Sequence, residues 1–140
     1  MEYKYKKIFD ELFLDNCPPT SYQPIAKQPY RWVFEKDNSD NFTPQYLKKP
    51  ARFQSKSEAE KCSALALSFF ETKEQAISRF LFLKQSMGDK VYEELGLFTA
   101  CLQIEQNDGI AEEPNKTGHF NFHPAEGTSL ESKIIDREKL

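Results

Sequence analysis

The sequence predicts an α+β fold: one domain over residues 1–140, with a small, largely antiparallel sheet packed against two main helices. Two periodicities carry that prediction. Apolar residues recur at helical spacing near residues 5–13 and 76–87, and at every second position near residues 30–34, 98–104 and 120–122. The composition agrees, because 39% hydrophobic and 29% charged residues suit a soluble globular chain, and 140 residues suffice for one core. An aromatic share of 14% supplies bulky rings to fill it.

The N-terminal helix occupies residues 1–16, with its periodic part at 2–15. Tyr5, Ile8, Phe9, Leu12 and Phe13 make one apolar face, and Pro18 and Pro19 prevent continuation. Residues 16–28 form a Pro-containing loop. The first clear strand is 29–35, with Tyr30, Trp32 and Phe34 on one side and Arg31, Val33 and Glu35 on the other. "KDNSDN" supplies turn chemistry. Residues 42–54 are irregular but carry Phe42, Tyr46, Leu47 and Phe53, so this loop is expected to pack down, as functional or edge-covering loops do.

Ser57 and Glu60 fit a capping box. The apolar run 62–70 reads as a buried strand, with a helix from Ser57 to Phe70 as the competing assignment. Thr72 and Gln75 cap a helix over 73–87 that ends at Gly88, and 89–96 reads as a further helical segment. Residues 97–105 alternate, with Phe98, Ala100, Leu102 and Ile104 on one face. Asp108-Gly109 is a hairpin signal, and 112–118 a second turn. "HFNFH" at 119–123 is the next strand, ended by Pro124. Residues 130–140 are expected to form a short element and a charged, partly frayed tail.

Charge and cysteine usage narrow the function classes. The net charge is −3 and the basic residues are scattered, so nucleic-acid binding is not favoured. No apolar run approaches a membrane span, and the N-terminal stretch has no signal-peptide core. Cys17, Cys62 and Cys101 are odd in number and widely spaced with no CxxC. Neither a disulfide framework nor a zinc site is expected, which points to a reducing cytoplasm.

His119 and His123 are the only histidines. Four residues apart on a strand, they stand about 13 Å from one another and cannot ligate one ion. Phe120 and Phe122 are expected inside, with His119, Asn121 and His123 outward. If that outward face lines a cleft, one histidine can hold a ligand or move a proton. Cys101 reads as a small buried hydrophobe. P-loop, GxGxxG, HExxH and GxSxG motifs are all missing.

The strand "YRWVFE", carrying Arg31, and the later "ALSFF", carrying Ser68 and leading into the capped helix with Ala76, resemble the layout of small bacterial ADP-ribosyltransferase-like domains of the RES type. The resemblance covers residues 29–82. It implies NAD as cofactor, with Arg31 pairing with the cofactor's phosphates through its planar fork and Ser68 holding the nicotinamide side. His119 would join them as a third catalytic group. That family also needs a glutamate on a late strand, and Glu105, Glu112, Glu113 and Glu126 stand in no matching motif.

Two functions are therefore expected. One is a small cytosolic accessory protein of the immunity, adaptor or bacterial-defence kind, without cofactor. It would bind a protein partner through Trp32, Phe42, Tyr46 and Phe53, residue types that make binding hot spots. The other is an NAD-using ADP-ribosyltransferase-like enzyme with Arg31, Ser68 and His119 in its cleft. What separates them is whether those three residues meet in one pocket.

Overall fold

The computed structural model describes residues 1–140 and confirms the α+β class. Seven strands form one antiparallel sheet: β1 (Gln23–Pro24), β2 (Tyr30–Val33), β3 (Leu67–Phe70), β4 (Phe98–Leu102), β5 (Gly109–Ala111), β6 (His119–Pro124) and β7 (Ile134–Lys139). Their order is β1-β5-β6-β3-β2-β4-β7. The helices are α1 (Lys6–Glu11), α2 (Gln45–Lys48), α3 (Glu58–Ala64), α4 (Lys73–Met87) and α5 (Val91–Glu94).

Most of the expected apolar face of the first helix packs inward, with Phe9 buried and Tyr5, Ile8 and Leu12 half-buried, but Phe13, expected on that face, is exposed. The helix itself is shorter than expected. Tyr3 bridges to Ala125, which holds the chain before it extended. Its end is a Schellman motif: Leu14 N–H donates to Phe9 C=O and Phe13 N–H to Asp10 C=O. α4 matches its expected bounds, with the reciprocal Thr72–Gln75 box at its start and Gly88 at its end.

Three expectations need correction. The apolar run 62–70 is neither one strand nor one helix. The Ser57 box starts α3, which stops at Ala64, and the strand begins only at Leu67. Leu65, Ala66 and Leu67 at the junction are all buried, so no polar position there reveals the break. Asp108-Gly109 closes no hairpin between its flanking strands, because β4 and β5 are separated by β2, β3 and β6. Glycine is needed at 109 for another reason: at φ 159° a Cβ there would strike the His123 carbonyl and the Phe122 ring. The supposed frayed tail is β7, an edge strand paired with β4 from Phe98↔Lys139 to Leu102↔Ile134. Its exposed charges are how an edge strand discourages further pairing, and from sequence they look like tail composition.

The interior has two clusters. The sheet cluster contains Val33, Leu67, Phe69, Ala100, Leu102, Phe120 and Phe122. The second lies among α1, α2 and α3 and contains Phe9, Leu14, Cys17, Tyr46, Cys62 and Leu65. Cys17 and Cys62 form a disulfide across 45 residues, against the expectation of free thiols. Folding, not spacing, brings this pair together, and it removes the ground for assigning a reducing cytoplasm. No helix is long and apolar enough to cross a membrane.

Candidate functional site

The sheet opens in its middle. β2 shares four register pairs with β4, from Tyr30↔Cys101 to Val33↔Phe98, but only Tyr30↔Phe70 with β3. Beyond that pair the two strands part, and on this side the Ser68 carbonyl of β3 is met by a side chain instead of a strand. That side chain is Arg31. Its Nη1 donates to the Ser68 carbonyl at 2.9 Å and its Nε to the Asn41 carbonyl at 2.9 Å. Buried Asn41 is itself fixed, accepting from Phe34 N–H at 2.7 Å and donating to the Glu35 carbonyl at 2.9 Å.

A cleft of about 500 Å³ lies in this opening, with Trp32, Phe34 and Phe70 as apolar walls. Its cations are Arg31, Lys48 and Arg52, and its acids are Asp40 and Glu94. Glu94 is already paired with Lys49 at 2.8 Å. None of the seven ion pairs of the chain involves Arg31, Lys48 or Arg52. Guanidinium has five N–H donors, and the two carbonyl bonds leave the rest of the fork available. Burial pushes the Arg31 guanidinium down to about 10, so it stays charged at neutral pH. Lys48 is lowered too, first by burial and then by the positive charge of Arg31.

Of the residues expected in a site, Arg31 and Ser68 line this cleft together. Ser68 is also the link to His119, whose Nε2 lies 3.0 Å from its Oγ. His119 faces a different hollow, of about 420 Å³, shared with Arg79, Asn115 and Thr117 on the far side of Trp32 and Ser68. The three residues thus form a chain of contacts through Ser68, with Arg31 and His119 in adjoining hollows that share Trp32, Ser68 and Phe70. Burial lowers the His119 pKa, with Glu112 opposing and Arg79 assisting. The ring is therefore mostly neutral near pH 7 and able to accept the Ser68 proton. Glu112, the acid whose charge acts on His119, instead accepts from Asn121 N–H at 2.8 Å.

His123 is not outward. It is only 1% exposed, because α1 and the loop after it cover that end of β6. Phe9 meets the ring edge-on at 5.5 Å and Tyr22 lies at 5.7 Å. Phe120 and Phe122 are fully buried and Cys101 is buried and free, as expected.

The four aromatic residues expected to anchor a partner are engaged internally. Trp32 donates its Nε1–H to the Ala76 carbonyl at 2.9 Å and contacts Phe70 and Phe80. Phe42 packs on the sheet cluster, and Tyr46 stacks on Phe53 in the second cluster. Sequence reasoning missed Lys48 and Arg52 as site residues. Their spacing of four beside a proline-flanked loop is a weak sign of a shared direction. No protein-family model, curated protein or solved structure matches the chain.

Proposed function

We propose that this chain is a binding module that takes a small phosphate-bearing ligand in the cleft between β2 and β3, with NAD as the first candidate. The observation that carries the reading is the convergence of Arg31, Lys48 and Arg52, none of them in an ion pair, on one cleft whose two acids are Asp40 and the already paired Glu94. The charge of Arg31 weighs on the half-buried Lys48, and an anion in the cleft relieves that cost. Phosphate suits the arrangement, since a guanidinium fork can bind it bidentately while a lysine adds point charge. The aromatic walls offer a flat surface for a base or nicotinamide ring. The resemblance to ADP-ribosyltransferase-like domains points the same way for Arg31 and Ser68.

Binding is better supported than group transfer. The acids bordering the cleft, Asp40 and Glu94, come from a loop and from α5 rather than from a late strand. Binding is also better supported than protein docking, because Tyr46 is buried and Phe42 and Phe53 pack into the two clusters, while Trp32 faces the cleft.

Calorimetric titration at low salt with NAD, ADP and pyrophosphate tests the reading. Binding should weaken as salt rises. It should weaken about tenfold or more in Lys48→Ala/Arg52→Ala, which removes two charged donors without touching the strut bonds of Arg31. No heat and no melting-temperature shift at millimolar ligand would sink it. Nicotinamide release from NAD that disappears in Arg31→Ala would instead establish the transferase.

A further inference from the structure

Behind α1 lies a second constellation, independent of the cleft. His123 Nε2 is 3.7 Å from the Cys62 sulfur. His123 Nδ1 is buried and has no hydrogen-bond partner. One donor atom from each of Cys17, Cys62 and His123 fits within a span of 4.8 Å, and all three residues are buried. A disulfide needs no imidazole beside it. Nε2, the nitrogen that faces the cysteines, has only this weak sulfur neighbour, so the buried ring meets no strong partner on that side.

We propose that, when the disulfide is reduced, Cys17, Cys62 and His123 bind a zinc ion. The donor chemistry fits: two thiolates and one imidazole form a set zinc prefers, and the thiolates cancel its charge, so no net charge is buried. The geometry fits as well. Zn–S near 2.3 Å and Zn–N near 2.0–2.1 Å at a tetrahedral angle place sulfur and nitrogen about 3.6 Å apart. The Cys62–His123 pair already stands at 3.7 Å. Phe9 and Tyr22 supply apolar cover around the ring. A cavity of about 250 Å³ borders both cysteines, which gives an ion a route in and leaves room for water at the fourth position.

The chemistry balances. A dithiol gives two electrons and two protons to the Cys17–Cys62 bond and becomes a disulfide itself, leaving two protein thiols. Zinc then displaces those two protons into solvent and binds neutral His123. In the reverse direction a small-molecule disulfide takes two electrons from the two thiolates and two protons from solvent, becoming a dithiol as the Cys17–Cys62 bond re-forms and the ion is released, so the site is zinc-loaded or disulfide-closed, never both.

The full chain, reduced with a dithiol and freed of excess reductant, is titrated with Co²⁺ and then Zn²⁺. The expected result is one equivalent of cobalt with tetrahedral d–d bands and a thiolate charge-transfer band. Zinc should displace it, and the oxidised chain should show neither band. His123→Asn should lose the tetrahedral spectrum, whereas Cys101→Ser should keep it. If His123→Asn does not fold, Cys17→Ser serves in its place, since it removes one ligand and leaves the ring. A reduced chain without tetrahedral bands, or an unchanged spectrum in whichever ligand variant folds, overturns the proposal.

Discussion

Phe13 occupies a position that glycine usually takes. It is the left-handed residue of the Schellman end of α1, at φ 56°, and its side chain is 78% exposed. A non-glycine residue there costs about 1–2 kcal/mol, and an exposed ring recovers little of it. Phe13→Gly should therefore raise stability by about 1 kcal/mol, read as a higher denaturant midpoint with an unchanged slope. A lower midpoint would mean that the ring makes a contact worth more than the strain. His123 tests the interior at the same scale. Burial pushes its pKa down to about 4. The unfolded chain takes up a proton near pH 6.5 while the folded chain does not. Stability is thus full above that value and falls as pH drops from about 6.5 toward 4, by up to about 3 kcal/mol. His123→Leu should flatten this part of the stability profile. The burial of His123 was illegible in the sequence because strand alternation predicts a polar face, whereas the covering residues come from α1, over a hundred positions away.

At the scale of elements, β7 shows what charge patterning hides. Its residues alternate only weakly and are mostly exposed, yet Arg137 reaches inward, donating to the Phe34 carbonyl at 2.9 Å and pairing with Glu131. Ending the chain after Lys133 should expose the β4 edge, lower the denaturant midpoint and promote association. Size-exclusion chromatography and denaturation of the truncated chain check this, and an unchanged monomer of equal stability would show β7 to be dispensable. Elements whose start and end chemistry is local were legible: the Thr72 box and Gly88 fix α4 to the residue. The α3–β3 boundary was not, because Leu65, Ala66 and Leu67 are all buried and no periodicity survives there. The β2–β3 opening, which makes the candidate site, was equally hidden. Arg31 and Ser68 were nominated from their strands, but the pairing register that parts those strands has no sequence signature.

For the whole molecule, the question is how the two hydrophobic clusters are coupled. The disulfide closes a loop of 45 residues and ties the segment after α1 to α3, wholly within the second cluster. A loop of that length restrains the unfolded chain by about 4 kcal/mol, a large part of the 5–15 kcal/mol typical of a domain. The sheet cluster contains neither cysteine and is held by backbone ladders between β3 and β6 and between β2 and β4. Reduction without metal should therefore act unevenly. Hydrogen exchange comparing oxidised and reduced chain should show protection falling first in α1, α2 and α3, with β3, β4 and β6 amides following only at the global limit. Equal loss of protection in β3 and β6 would show that the clusters unfold as one unit. In that case reduction would disturb the Arg31 cleft as well, because Ala66 and Ser68 on its wall follow directly from α3.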